Sequence, residues 1–141
     1  MAYKMTCGSY LTSYHILLVE SEGAFRQEMA LALRGDNFVV TGVADYLEAL
    51  GKLVEFNTDM VLLDKDLPMV DSWEACHQIR GMLGIPVILL GYDSGDEVWA
   101  ELIQARADFY LKRPFTALEL VARVRAILRR YHRYETRSHL N

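Results

Sequence analysis

Five short apolar runs punctuate the chain: Ile16–Val19, Phe38–Val43, Met60–Leu63, Val87–Leu90 and Phe109–Leu111. Their starts lie 22, 22, 27 and 22 residues apart. Most are unbroken rather than alternating, as strands buried on both faces are. The segments between them carry helical spacing: Phe25, Met29, Leu33; Leu47, Leu50, Val54; Cys76, Ile79, Leu83; Val98, Leu102, Ala105; and Leu118, Val121, Val124, Leu128. Ser94 with Glu97, and Thr116 with Glu119, have the spacing of capping boxes. The pattern predicts a βα unit repeated five times. That count is too small for a closed barrel, so an open, doubly wound parallel sheet with right-handed crossovers is expected. In such sheets the site lies beyond the carboxyl ends of the strands.

The residues at those ends are unusually charged. The first run leads into Glu20-Ser21-Glu22, the third into Asp64-Lys65-Asp66-Leu67-Pro68, the fourth into Gly91-Tyr92-Asp93 and the fifth into Lys112-Arg113-Pro114-Phe115. Glu20 and Asp64, with Asp66 a weaker candidate, gather carboxylates at one edge, and Arg113 or Lys112 brings a cation. Oxygen ligands of this kind suit Mg²⁺, and a metal beside a fixed positive group suits a phosphoryl group. Adjacent strand residues face opposite ways, which turns Lys112 away if Arg113 points in.

Composition narrows the class. With 141 residues, 52% hydrophobic and 24% charged, one soluble domain is expected. Two cysteines, Cys7 and Cys76, make no disulfide framework or zinc cluster. No apolar run is long enough for a membrane helix, and the first residues lack a signal-peptide stretch, so a cytoplasmic protein with no membrane partner is expected. Charge is uneven: residues 1–122 carry 9 Lys+Arg against 18 Asp+Glu, and residues 123–141 carry six Arg against one Glu. An acidic body disfavours a nucleic-acid surface there. Trp73 and Trp99 are explained by packing. No glycine-rich phosphate loop follows the first run, against a flavin or nucleotide binder.

The stretches HILLVESEG, DMVLLDKDLPMVDSWEACHQIR, IPVILL and ADFYLKRPFTALELVARVRAILRR resemble the receiver domain of two-component response regulators, with the CheY-like fold. The likeness covers residues 15–131, leaving 1–14 as an N-terminal extension and 132–141 as a basic tail or the start of a linker. It implies an α/β, (βα)5 sheet of strand order 2-1-3-4-5. It implies a phosphoacceptor, not an enzyme, with a sensor histidine kinase as partner and Asp64 as the residue phosphorylated. The last helix resembles the winged-helix, OmpR-like class of transcription factors, so DNA would be reached only through an effector domain not present in these residues.

Carried over residue by residue, the resemblance is incomplete. Glu20 matches the first acidic position, but Ser21 stands where the family has a metal-binding aspartate. Gly91 replaces the usual Thr or Ser, Tyr92 the small residue after it, and Arg113 the lysine before the often cis Pro114. Tyr110 matches the aromatic switch residue. Mg²⁺ is therefore expected to bind weakly or not at all. The function expected is signalling through Asp64 with an atypical, phosphorylation-independent site. The alternatives are a pseudo-receiver interaction module without phosphotransfer and, remotely, a small haloacid-dehalogenase-like phosphatase using Asp64-Lys65-Asp66. A homodimer or heterologous partner is expected on the face made by the fourth helix, fifth strand and fifth helix (α4-β5-α5). There Asp108, Glu119 and Arg123 match the family's charge pairs, Glu101 replaces a basic residue, and Phe109, Val98 and Leu102 offer apolar area.

Overall fold

A computed structural model describes the backbone of residues 3–5 and 11–139 and the side chains of residues 13–131. A two-stranded antiparallel sheet, β1 (Tyr3–Met5) with β2 (Leu11–Ser13), precedes the predicted units. These strands lie in the expected N-terminal extension; Cys7 lies outside the described residues. The main sheet comprises β3 (His15–Val19), β4 (Val39–Val43), β5 (Met60–Asp64), β6 (Val87–Gly91) and β7 (Phe109–Lys112). Every pairing in it is parallel, in the order β4-β3-β5-β6-β7. Counted among these five, that is the expected order 2-1-3-4-5. The helices are α1 (Gly23–Arg34), α2 (Tyr46–Glu55), α3 (Ser72–Leu83), α4 (Asp96–Ala105) and α5 (Ala117–His139).

Alternate strand residues feed two apolar layers. Ile16, Leu18, Met60, Leu62, Ile88 and Leu90 pack against Met29 and Leu33 of α1 and Leu120, Val124 and Ile127 of α5. Leu17, Val19, Val61, Leu63, Val87 and Leu89 pack against Ala49, Ile79, Val98 and Leu102 from α2, α3 and α4. Burial on both faces is why β3, β5 and β6 read as unbroken apolar runs.

Helix starts are set by carboxylates: Glu22, Asp45 and Asp71 cap α1, α2 and α3. Thr116 accepts from the Glu119 amide, as its spacing predicts. Ser94 does not cap α4; Gly95, with φ of 105°, takes that place without a side-chain bond. In α2 the buried residues are Ala49 and Leu53, whereas Leu47 and Val54 of the predicted stripe are exposed. Helix α5 runs past Leu128, the last residue of its predicted stripe, to His139. Tyr131 there donates a hydrogen bond to Asp108, whose other carboxylate oxygen accepts from the Val87 amide at 2.8 Å and lies 3.7 Å from Arg80. No helix among the described residues is long and apolar enough to cross a membrane.

Candidate functional site

The sheet ladder carries the charged strand ends into one place. Beyond β3, the Glu20 amide donates to the Val43 carbonyl at 3.0 Å. Beyond β5, the Lys65 amide donates to Leu90, and beyond β7 the Arg113 amide donates to Gly91, each at 2.7 Å. The buried Ser72 hydroxyl donates to the Asp64 carbonyl at 2.8 Å, tying the head of α3 to the end of β5. Arg113 and Pro114 are joined by a cis peptide bond.

Three ionisable side chains are thereby buried together: Glu20, Asp64 and Arg113 are 2%, 5% and 7% exposed. Arg113 Nη2 donates to Glu20 Oε1 at 2.7 Å and lies 3.4 Å from Asp64 Oδ1, which also accepts from the Asp66 amide at 3.0 Å. Aromatic rings surround the guanidinium. Its carbon is 4.5 Å from the Phe25 centroid, 5.6 Å from Tyr92 and 6.0 Å from Phe115. Cation–π attraction strengthens when the cation is desolvated, as here. Arg113 Nε is buried with no hydrogen-bond partner.

Two carboxylates thus face one cation. Burial, then the hydrogen bond to Asp64 and its charge, push the Glu20 carboxyl up from 4.5 to about 7, against the opposing pull of Arg113. The folded state therefore holds this proton more tightly than the unfolded chain. Its contribution is full below about 4.5, falls as pH rises towards about 7, and is then flat. Asp64→Asn leaves one carboxylate facing Arg113. It is expected to lower the Glu20 pKa and raise stability at neutral pH, each unit recovered being worth about 1.4 kcal/mol. Urea unfolding of both forms at pH 5 and pH 7.5 checks this: the gain should appear at the higher pH and shrink at the lower.

The other expected positions fall around this core. Ser21 is exposed. The Asp66 side chain turns to Lys65, 3.7 Å from its Nζ, and not to the carboxylate pair. Lys112 is exposed, as strand alternation requires. Tyr92 is 67% exposed and covers the Arg113 guanidinium from outside. The Tyr110 hydroxyl lies over the end of β6. A Cβ built on Gly91 would stand 2.6 Å from it. That hydroxyl is buried with no hydrogen bond of good geometry, and burial raises its pKa against the opposing pull of the nearby Asp93 backbone. The Tyr110 ring stacks on Trp73 at 6.2 Å and 16°.

Sequence reasoning missed Phe25, which lies a helical turn beyond Glu20 with nothing to mark it as a ring over the site. It also missed the ion pair between Lys65 and Asp93 across two loops, with Lys65 5.9 Å from the Trp73 ring. The alternation at Asp64-Lys65 was the available signal, since it sends Lys65 to the opposite face from Asp64.

A Mg²⁺ ion does not fit this donor set. Glu20 and Asp64 are turned onto Arg113, Ser21 supplies no charge, and the Asp66 carboxylate is engaged by Lys65. Among the described residues no group of three or more His, Cys, Asp or Glu side chains is placed to hold a metal.

The expected partner face needs revision. Val98 and Leu102 are buried in the core and form only the floor of a groove of about 500 Å³ between α4 and β7. The exposed apolar area comes from Trp99 and Ile103, 67% and 77% exposed, so packing does not account for Trp99. Glu101 lines a separate hollow facing α3, beside Glu74 and His77. Asp108 is spent within the chain on Val87, Arg80 and Tyr131. Glu119 and Arg123 are exposed on α5, and Arg123 stacks on Phe109 at 4.1 Å.

Comparison with known proteins agrees with this architecture. Residues 16–125 match the response regulator receiver domain. The transcriptional regulatory protein CseB of Streptomyces coelicolor is 40% identical over 119 residues, covering 83% of this chain and 50% of CseB. A two-component response regulator from Clostridium difficile superposes with a TM-score of 0.80 at 26% identity, covering 84% of this chain and 98% of that one. The response regulator DrrB, described as a Thermotoga maritima OmpR/PhoB homolog, gives 0.79 at 27% identity, covering 85% of this chain and 54% of that one. The chain spans about half the length of the curated relatives it matches. A phosphatase built on Asp64-Lys65-Asp66 is set aside by these matches and by the engagement of Asp66 with Lys65. Sheet order, strand-end carboxylates and sequence matches converge: the chain belongs to the response regulator receiver family and is a receiver domain of a two-component system.

Proposed function

We propose that this receiver holds its output face in one state regardless of phosphorylation, and signals through a protein partner on the groove between α4 and β7. The observation that carries this is the Tyr110 hydroxyl in the space above Gly91. In the family as the sequence resembles it, an aromatic turns inward after a hydroxyl residue moves towards phosphate. Here Gly91 offers no hydroxyl, and the tyrosine has the room already. Trp73 backs the ring, and the Lys65–Asp93 pair pins the loop after β6. Mg²⁺ binding is weak or absent in this reading.

The partner face is apolar at Trp99, Ile103 and Phe109, and a second copy of the chain or a heterologous protein covers it. Residues 15–131 act as the receiver, and 132–141 lead towards a linker. By extension from CseB, any DNA contact belongs to an effector domain outside these residues. Phosphorylation of Asp64 by a sensor histidine kinase is the second reading. It is favoured by the place of Asp64 at the end of the central strand, with a cation 3.4 Å away.

Beryllofluoride, a phosphoryl mimic, separates the two. The expected result is that amide shifts of Trp73, Tyr110 and α4 stay put, and that sedimentation equilibrium gives the same association with and without it. Large shifts at Tyr110, or a dimer formed only with the mimic, overturn the proposal in favour of the second reading.

A further inference from the structure

We infer that the Arg113 guanidinium is the resident cation of the acidic pocket, closing it to divalent metal, and that removing it turns Glu20 and Asp64 into a divalent-cation site. This rests on the receiver reading above and names the group that replaces the metal.

The argument is one of position and charge. Nη2 lies between Glu20 Oε1 and Asp64 Oδ1, at 2.7 and 3.4 Å, so an ion bridging these two oxygens must displace it. Mg²⁺ requires a near-octahedral set of oxygens and keeps several of its waters. Phe25, Tyr92 and Phe115 crowd the guanidinium, at 4.5, 5.6 and 6.0 Å from its carbon, and hold it against the two carboxylates. A divalent ion added beside a retained Arg113 would place like charges together in a pocket where all three side chains are under a tenth exposed. Arginine suits this post better than lysine, because its planar, weakly hydrated head can hydrogen-bond at its edge while its faces meet rings.

A hydroxyl at Ser21 in place of a carboxylate weakens metal binding by itself, so the test separates that cause from Arg113. Mn²⁺ is the probe, followed by the electron paramagnetic resonance of the free ion. The proteins are the full chain, Arg113→Gln, Ser21→Asp and the double variant, each checked for folding by circular dichroism. The expected result is no saturable binding by the unmodified chain and little by Ser21→Asp. Arg113→Gln should bind saturably, and tighter than Ser21→Asp by roughly tenfold to a hundredfold, the range of one charge-assisted hydrogen bond. If Ser21→Asp alone restores binding and Arg113→Gln does not, the missing carboxylate closes the pocket and the inference fails. Binding by the unmodified chain equal to that of Arg113→Gln defeats it as well. Should Arg113→Gln not fold, the Arg113 Nε–H resonance of the unmodified chain decides: it should stay fixed under Mg²⁺, and a saturable shift refutes the inference. Beryllofluoride shifts at Tyr110 report on the proposed function separately, whichever way the metal result falls.

Discussion

Arg113→Met is expected to destabilise the folded chain by about 3–5 kcal/mol at neutral pH, the usual consequence of leaving a buried charge without its partner. Glu20 and Asp64 would then face each other with no cation, and methionine keeps the apolar stem of Arg113 without reaching the place of its charge. Methionine ends where arginine has Nε, so the space of the guanidinium head is left open and adds a part of the loss that does not depend on pH. The electrostatic part should carry a pH signature. Protonating a carboxylate relieves it, so the variant should recover ground on the unmodified chain as pH falls from 7.5 to 5. Urea denaturation across that range measures this. A loss that does not change with pH would mean that packing, and not charge, makes Arg113 necessary. Arg113→Lys should fall between, keeping the charge but losing the flat contact with the rings.

Gly91→Thr is expected to expel Tyr110. A Cβ at this position would stand 2.6 Å from the Tyr110 hydroxyl and 3.1 Å from Lys65 Cβ, so something must move. The tyrosine is the group with somewhere to go. Its hydroxyl makes no hydrogen bond of good geometry where it is, and an unsatisfied buried hydroxyl costs at most about 1–3 kcal/mol. Turning outward recovers hydration while giving up the stack on Trp73. The net change in stability should therefore be modest, within about 1–3 kcal/mol as for other overpacked sites, whereas the conformational change is large. Trp73 fluorescence and its near-ultraviolet circular dichroism should both change. Gly91→Ala meets the same clash at Cβ and should act alike. Tyr110→Phe removes the hydroxyl and should make Gly91→Ala much less disruptive, a coupling that a double-mutant cycle reads directly. If Gly91→Thr leaves the Trp73 signals unchanged, Tyr110 does not depend on the empty space above Gly91.

The fold was legible because burial on both faces of the sheet writes itself into the sequence as apolar runs. Ile16–Val19 and Val87–Leu90 needed no further information. The site was legible as far as strand ends can say: Glu20, Asp64 and Arg113 were read from their places after the strands, and the sheet brings them together. What the sequence withheld depends on how distant side chains share one volume. No local pattern tells that the Tyr110 hydroxyl takes the room of an absent side chain at Gly91, or that Phe25 comes over a guanidinium 88 positions later in the chain. The α2 stripe misled because Leu47 and Val54 have the spacing of a core face but sit on the solvent side, while the smaller Ala49 turns inward. Asp108 misled differently. Its position matched a contact between subunits, but Tyr131, the last residue of the expected receiver, claims it first.

The Tyr131–Asp108 bond fixes the last helix to the rim of the sheet, and eight further residues continue in helical form to His139. At 1.5 Å per residue they make a strut about 12 Å long. A strut transmits azimuth as well as distance. Anything joined beyond it is aimed at a set bearing around the helix axis, and each residue inserted between Tyr131 and His139 turns that bearing by about 100°. Inserting one residue there therefore misdirects whatever is attached, while inserting seven, almost two whole turns, lengthens the reach and brings the bearing nearly back.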